Sequence, residues 1–578
     1  MTCVPAPAFP EPRPVETAEC RNVLRWIERN VREQPEDKAV VYVFPGQDSV
    51  SWTWRRLWNA ALSYRHRLSA EGIRAGDVCA LILRHDARFV PLYLGVALAG
   101  ALPAVLAYPN PRLHPDKFQH GLTGMARTSG LDWILTEAAL EGEVVPLLDQ
   151  GIRGVRLPFE WDIDADGNPD VAAARPALDA PPDTPFLLQH SSGTTGLQKA
   201  VVLSHGAVIE QVRSYASAIR LSSADRVVSW LPLYHDMGLV AAYLMPLVAG
   251  IPQYVLSPFD WVSAPVLFLE AVSNYRGTLA WLPNFAYNHM ATKIADEDLE
   301  GLRLDSLRLL INCSEPIRRD SHELFKARLA PYGLASSCLA ASYAMAENTF
   351  AVTQTAVGSE AVSVLLDRAA LQQGEVVRCA DETRGRWCVS SGAAVEGTRV
   401  RIVDEARHDA PPVRVGEIAI RSTCLFSGYR HQPELSQRAI HDGWFLTGDL
   451  GFLMDGELFV VGRKKDLIIV GGKNLYPEDI EDVCSRVTGV IPGRVVAFGV
   501  ENEQLGTESI HVIAETEASE EAGRRQLVLR IRQECLASDF SVSDVHLVPP
   551  RWLVKSSAGK LSRNTNRERL IERDQVAL

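Results

Sequence analysis

Between residues 21 and 185 the hydrophobic pattern switches repeatedly between helical spacing and short β-branched runs such as residues 78–83 and 133–136. Apolar positions recurring every three to four residues mark one face of a helix. A few consecutive apolar residues mark a strand buried on both faces. The same rhythm continues through residues 227–231 and 307–311, the latter ending at Asn312. It predicts an open, largely parallel α/β sheet covered by helices. From about residue 374 to 462 short strands alternate with Gly turns (398–403, 417–420, 457–461), which predicts a small β subdomain. After Asp466 the chain reads as a compact α+β domain of ordinary size. The apolar run at 92–103 comes nearest to a membrane span, but it is short, ends in Pro103 and predicts a buried helix. Residues 1–18, rich in Pro, Ala and Glu, predict a loose tail. The expected organisation is therefore a tail (1–18), a large N-terminal domain of α/β sheets with its β subdomain (19–465), and a small α+β C-terminal domain (466–578).

A chain of 578 residues is too long for one core, which agrees with this division. The net charge of −12 argues against nucleic acid or an anionic membrane as the main partner, although a local basic patch could serve an acidic carrier protein or CoA. Ten cysteines are scattered without a Cys-x-x-Cys pair or zinc spacing, so a reduced, cytosolic protein is expected. The N-terminus has neither the basic nor the apolar segment of a signal peptide.

One polar loop changes the picture. Residues 190–199 read His-Ser-Ser-Gly-Thr-Thr-Gly-Leu-Gln-Lys, between the apolar runs 186–188 and 201–203. Glycine lets a backbone approach phosphate closely, hydroxyls donate to phosphate oxygens, and lysine adds a mobile positive charge. A P-loop requires Gly-Lys-Ser/Thr leading into a helix. Here Lys199 follows Gln198, and residues 200–203 read as strand. The string predicts a strand–loop–strand hairpin that grips a nucleoside triphosphate, against the plainer alternative of a Ser/Gly turn.

This loop resembles the phosphate loop of the adenylate-forming superfamily, which includes acyl-CoA synthetases, fatty acyl-AMP ligases, peptide-synthetase adenylation domains and luciferases. Further motifs follow in the same order. The resemblance places Ser191, Ser192, Gly193, Thr194, Thr195, Gly196 and Lys199 around the ATP phosphates. In the stretch Ser342, Tyr343, Ala344, Met345 and Glu347, the aromatic residue is expected to stack on adenine. Glu347, with Thr195, is expected to hold Mg²⁺. Asp449, within Trp444-Phe445-Leu446-Thr447-Gly448-Asp449, matches the carboxylate that accepts from the ribose hydroxyls. Arg463 would contact ribose or phosphate, and Asp466 would be the hinge of a mobile C-terminal domain. Lys560, after Ser557-Ala558-Gly559, would neutralise charge between the acyl carboxylate and the α-phosphate. The implied reaction is ATP-dependent activation of a carboxylic or fatty acid to acyl-AMP, followed by transfer to a thiol.

Four segments are most similar to fatty acyl-AMP ligases: residues 231–239, 282–287, 312–318, and 448–453 with 474–481. His235 would close the acyl pocket, although a satisfied core histidine is the alternative. Ser314, Glu315 and Pro316 would line the nucleotide side, with Cys313-Ser314 departing from the Gly-Ala of many relatives. Residues 356–384 read as an insertion, which in fatty acyl-AMP ligases hinders CoA use and sends the acyl group to an acyl carrier protein. Gly471-Gly472 looks instead like acyl-CoA synthetases and keeps CoA open as acceptor. A small non-fatty acid, another acceptor, or a silent nucleotide-binding scaffold are further readings. The last would show degraded motifs, whereas Lys199, Glu347, Asp449, Arg463 and Lys560 are all present.

Overall fold

The computed structural model describes residues 21–109, 115–167, 169–191, 199–470, 473–502, 507–555 and 561–576. The expected tail, residues 1–18, lies outside them. The alternating pattern of the large domain divides into two sheets. One, nine-stranded among the described residues, carries a parallel run through Leu339–Ala344, Leu309–Asn312, Leu279–Leu282, Val227–Ser229, Gln253–Val255 and Lys38–Tyr42. Antiparallel strands flank that run at both ends. The other, seven-stranded, has a parallel run from Pro185–Ser191 through Leu102–Val105, Val78–Ile82 and Trp133–Thr136 to Gly154–Arg156. The strands Val78–Ile82 and Leu309–Asn312 are buried along their whole length, as strands covered by helices on both faces must be.

The apolar run at 92–103 corrects one expectation. Every residue of the helix Phe89–Leu98 is buried, as predicted, but the helix stops there. Gly100 takes a φ of 73°, where glycine has no steric penalty, and the chain returns as the strand Leu102–Val105. Continuous hydrophobicity cannot separate a buried helix from the buried strand that follows it.

The β subdomain is an antiparallel arrangement of Thr398–Val403, Gly416–Ser422, Trp444–Met454 and Glu457–Arg463. The segment expected to be an insertion contributes the strand Ser363–Asp367, paired antiparallel with Gly385–Val389. Its side chains Val364, Leu366 and Leu371 pack with Phe452, Phe459 and Tyr476. Beyond the turn Lys464–Asp466, three strands (Val495–Asn502, Thr507–Glu515 and Val542–Val548) and the helices Pro477–Ser485 and Glu521–Ala537 enclose a separate core around Ile480, Val512 and Ile531. The helix Pro477–Ser485 meets the large domain through Arg318–Asp482 at 2.6 Å and Arg386–Asp479 at 3.0 Å, with Arg486 of the adjoining turn reaching Asp320 at 3.1 Å. Among the described residues no helix is long and apolar enough to cross a membrane.

Candidate active site

The phosphate-loop string is flanked by an antiparallel pair, Pro185–Ser191 and Lys199–Ser204, with Ser191 opposite Lys199. Lys199 therefore begins a strand, not a helix, and the P-loop alternative falls on geometry. Ser192, Gly193, Thr194, Thr195 and Gly196 lie outside the described residues, as does the side chain of Ser191. Ser204 ends the exit strand and caps the next helix, His205–Ala218, by accepting from Ala207 N–H at 3.1 Å.

Tyr343 closes the buried strand Leu339–Ala344, and its phenol donates to Asp449 Oδ2 at 2.6 Å. Asp449 is brought there by the register of the β subdomain, which sets it directly opposite Arg463. Arg463 Nε lies 3.3 Å from the other carboxylate oxygen. Gly448, at φ 74°, forms the kink ahead of Asp449 that an L side chain would strain. Burial, with Asp449 adding to it, holds the Tyr343 phenol well above its ordinary pKa, so it remains a donor. An aromatic face, a carboxylate and a guanidinium thus converge. Of the other residues expected here, Ser342 is buried and donates to Thr353 C=O at 2.8 Å, and Met345 N–H donates to Phe350 C=O at 2.9 Å.

Glu347 sits in the single turn Ala346–Asn348 that follows the Tyr343 strand. The next residue, Thr349, is held at φ 62° by its hydroxyl donating to Cys424 C=O at 2.7 Å. The Glu347 carboxylate accepts from Tyr429 O–H at 2.8 Å, and the ammonium of Lys199 stands 4.7 Å from the Tyr429 ring centroid. A half-buried carboxylate beside a lysine at the exit of a phosphate loop has the donor chemistry of a hard cation such as Mg²⁺.

His235 lies on the adjoining side. Gln189 Nε2, on the strand entering the loop, donates to Tyr234 C=O at 3.0 Å, so the Tyr234-His235 segment runs beside the hairpin. A π-helical stretch, Met237–Leu244, follows, with Asp236 accepting from Met237 N–H at 2.8 Å. Met237 Sδ is 3.0 Å from Cys313 Sγ and 3.9 Å from Ser314 Oγ, which joins this stretch to the end of Leu309–Asn312. Ser314 adopts φ 68°. A buried network of Asn284, Asn312, Ser321 and His322 fixes the turns around it, and Glu315 accepts from Phe285 N–H at 3.0 Å. Pro316 is exposed. Trp230 and Trp261 stack 3.5 Å apart, with the half-exposed Phe285 set edgewise against both. A cavity of about 180 Å³ bounded by Phe44, Leu256, Asp260 and Tyr275 shares no residue with this constellation.

The profile of AMP-binding enzymes matches residues 27–430. The chain belongs to the AMP-binding enzyme family. It is 30% identical to the long-chain-fatty-acid–AMP ligase FadD26 of Mycobacterium marinum, over 94% of this chain and 96% of that one. It is also 30% identical to the 4-hydroxyphenylalkanoate adenylyltransferase of Mycobacterium tuberculosis, over 86% and 83% of the two chains. A solved structure from work on fatty acyl-adenylate ligases of E. coli and L. pneumophila superposes with a TM-score of 0.87, at 27% identity, over 97% of this chain and 100% of that one.

In this AMP-binding enzyme Lys560 lies outside the described residues, as do Gly471 and Gly472. Asp466 is held by Arg563 at 2.8 Å, and the same guanidinium reaches Glu478 at 2.9 Å and Glu481 at 2.8 Å. Sequence reasoning missed Arg563 and Tyr429. Arg563 follows Lys560 by three residues, and its partners are more than eighty positions away. Tyr429 belongs to a two-residue strand with no periodicity of its own. Their roles depend on tertiary pairing that no local pattern announces.

Proposed function

We propose that the protein activates a carboxylic acid, in the first place a fatty acid, as its acyl-AMP and then passes the acyl group to the phosphopantetheine thiol of an acyl carrier protein. The observation that carries this reading is the convergence of Lys199, Glu347, Tyr343, Asp449 and Arg463 beside the phosphate-loop hairpin. In the first step a carboxylate oxygen attacks the α-phosphorus of ATP and pyrophosphate leaves. In the second a thiolate displaces AMP from the mixed anhydride.

Tyr343 would stack on adenine, Asp449 would accept from the ribose hydroxyls and Arg463 would meet ribose or phosphate. Lys199 and the loop hydroxyls would hold the triphosphate, and Lys560 would steady charge developing at the α-phosphate. Glu347 and Thr195 would hold Mg²⁺, which when bound neutralises phosphate charge. His235 and the stacked Trp230–Trp261 pair would bound the acyl group. Ser314, Glu315 and Pro316 would stand between acyl group and nucleotide. Asp466 marks the proposed pivot between a domain at 19–465 and one at 466–578. A cytoplasmic location belongs to the same proposal.

The acceptor is argued from the insertion, whose strand partner Gly385–Val389 holds the helix Pro477–Ser485 through Arg386 and Asp479. Resistance to rotation at this contact disfavours CoA. The rival reading, transfer to CoA, rests on Gly471-Gly472. Mass spectrometry after incubation with Mg·ATP, a pool of carboxylic acids, and either CoA or a phosphopantetheinylated carrier protein separates the two. Acyl-AMP and acyl-carrier with little acyl-CoA supports the proposal, and acyl-CoA in quantity overturns its acceptor.

A further inference from the structure

Residues 426–430 form a strap from the β subdomain across the nucleotide site. Phe426 N–H donates to the Glu347 carbonyl at 2.9 Å. Ser427 and Arg430 N–H donate to the Val202 and Ala200 carbonyls, each at 2.9 Å, so Gly428–Tyr429 zips antiparallel onto the strand that leaves the phosphate loop. Tyr429 is buried, with its backbone N–H donating to Ser436 Oγ at 2.9 Å. Its hydroxyl and ring then touch two different parts of the site. The O–H donates to Glu347 Oε1 at 2.8 Å, and the ring faces the Lys199 ammonium at 4.7 Å. Among the described residues no second hydrogen bond or ion pair reaches the Glu347 carboxylate, which leaves Oε2 available to a ligand. Burial and the neighbouring carboxylate push the phenol pKa up, so the hydroxyl stays protonated and donating.

We propose that Tyr429 is a positioning residue of the adenylation site: its hydroxyl fixes the rotamer of the cation-holding Glu347, and its ring keeps Lys199 beside that carboxylate without neutralising it. Lys199 and Glu347 both contact Tyr429, one at its ring face and one at its hydroxyl, and a direct ion pair between them would withdraw each from the triphosphate. The Tyr429 ring attracts the ammonium through its π face while its O–H serves the carboxylate. This inference rests on the adenylation reading above.

The test uses the full chain with Tyr429→Phe and Tyr429→Leu. ATP binding is measured calorimetrically with and without Mg²⁺, alongside ATP–pyrophosphate exchange across a Mg²⁺ series. Tyr429→Phe keeps the ring and should melt with wild type. Its half-maximal Mg²⁺ concentration should rise about tenfold, the scale of one hydrogen bond to a charged acceptor, with metal-free ATP binding unchanged. Tyr429→Leu should in addition weaken metal-free ATP binding about threefold through the loss of the face that holds Lys199. A purely structural Tyr429 would lower the melting temperature of Tyr429→Phe with an unmoved Mg²⁺ midpoint, and that result overturns the inference. Equal losses with and without Mg²⁺ in Tyr429→Phe also overturn it. If wild type shows no exchange with any acid, the adenylation reading fails, while the binding measurements still decide the role of Tyr429.

Discussion

At the proposed nucleotide site Tyr343 and Asp449 are carried by elements packed on the core, whereas several contacts of the C-terminal unit with the rest of the chain are ion pairs between partly exposed side chains. Tyr343 ends a strand that is buried almost throughout, and Asp449 and Arg463 sit in register on paired strands. By contrast Arg486 and Asp320 are each about two-thirds exposed, at 66% and 68%, and Arg318 and Asp482 are 37% and 28% exposed. Packing fixes Tyr343 and Asp449, because moving either requires repacking around it. The second set can separate at small cost, because water replaces each partner. On the proposed reading, rigidity falls where the nucleotide would be oriented, and reversible contact where the C-terminal domain would change position. The contact at Arg386 and Asp479, with exposures of 16% and 18%, and the buried Tyr476 packed against Phe452 and Phe459 are exceptions.

Acid should break this contrast most strongly. His190, His205 and His322 are buried in the large domain, and loss of hydration pulls each down to about 4 from the ordinary 6.5. His205 must be neutral at Nδ1, which accepts from Val23 N–H at 3.2 Å. Because the folded pKa lies below the unfolded one, the folded chain binds fewer protons. The stabilisation is whole above pH 6.5 and is lost as pH falls toward 4, at up to roughly 3 kcal/mol per histidine. Hydrogen exchange at pH 5 should show the elements around residues 185–191 and 205–218 losing protection before the helix Pro477–Ser485. Simultaneous loss would remove the distinction.

Lys560→Ala addresses the opposite side of the comparison, a residue that the proposal has the C-terminal unit supply. Adenylation should fall about 100-fold or more while ATP binding persists, as when one transition-state donor is removed. Unchanged acyl-AMP formation would refute its role. Arg386→Ala leaves Asp479 without its closest cation and should cost about 2 kcal/mol, between the values for exposed and buried pairs. Hydrogen exchange in the helix Pro477–Ser485 reads this loss directly, and a higher acyl-CoA yield in the same variant would tie the contact to acceptor choice. The smallest effect belongs to Arg486→Ala, whose exposed pair should be worth less than about 0.5 kcal/mol in chemical unfolding. A larger loss would mean that the interface is not built of weak contacts.

The elements of the large domain were legible because strands buried on both faces leave uninterrupted apolar runs, as at residues 133–136. The division into two sheets was not, because which strands pair depends on crossovers rather than on any strand's own composition. The run at 92–103 hid a helix-to-strand change for the same reason that makes both elements buried. The order of the motifs around Lys199, Glu347, Asp449 and Arg463 was readable through the resemblance to the adenylate-forming superfamily, each motif alone being compatible with an ordinary turn or surface charge. Tyr429 and Arg563 were invisible because an aromatic in a two-residue strand and an arginine in a charged helix look ordinary until their partners are known.

The central claim is that a carboxylate oxygen attacks the α-phosphorus of ATP at this site. Incubating the protein with Mg·ATP, an ¹⁸O-labelled fatty acid and a thiol acceptor tests it, with mass spectrometry of the released AMP as readout. The account predicts one heavy oxygen in AMP and unlabelled pyrophosphate. Label appearing in orthophosphate, with ADP as the nucleotide product, would contradict it.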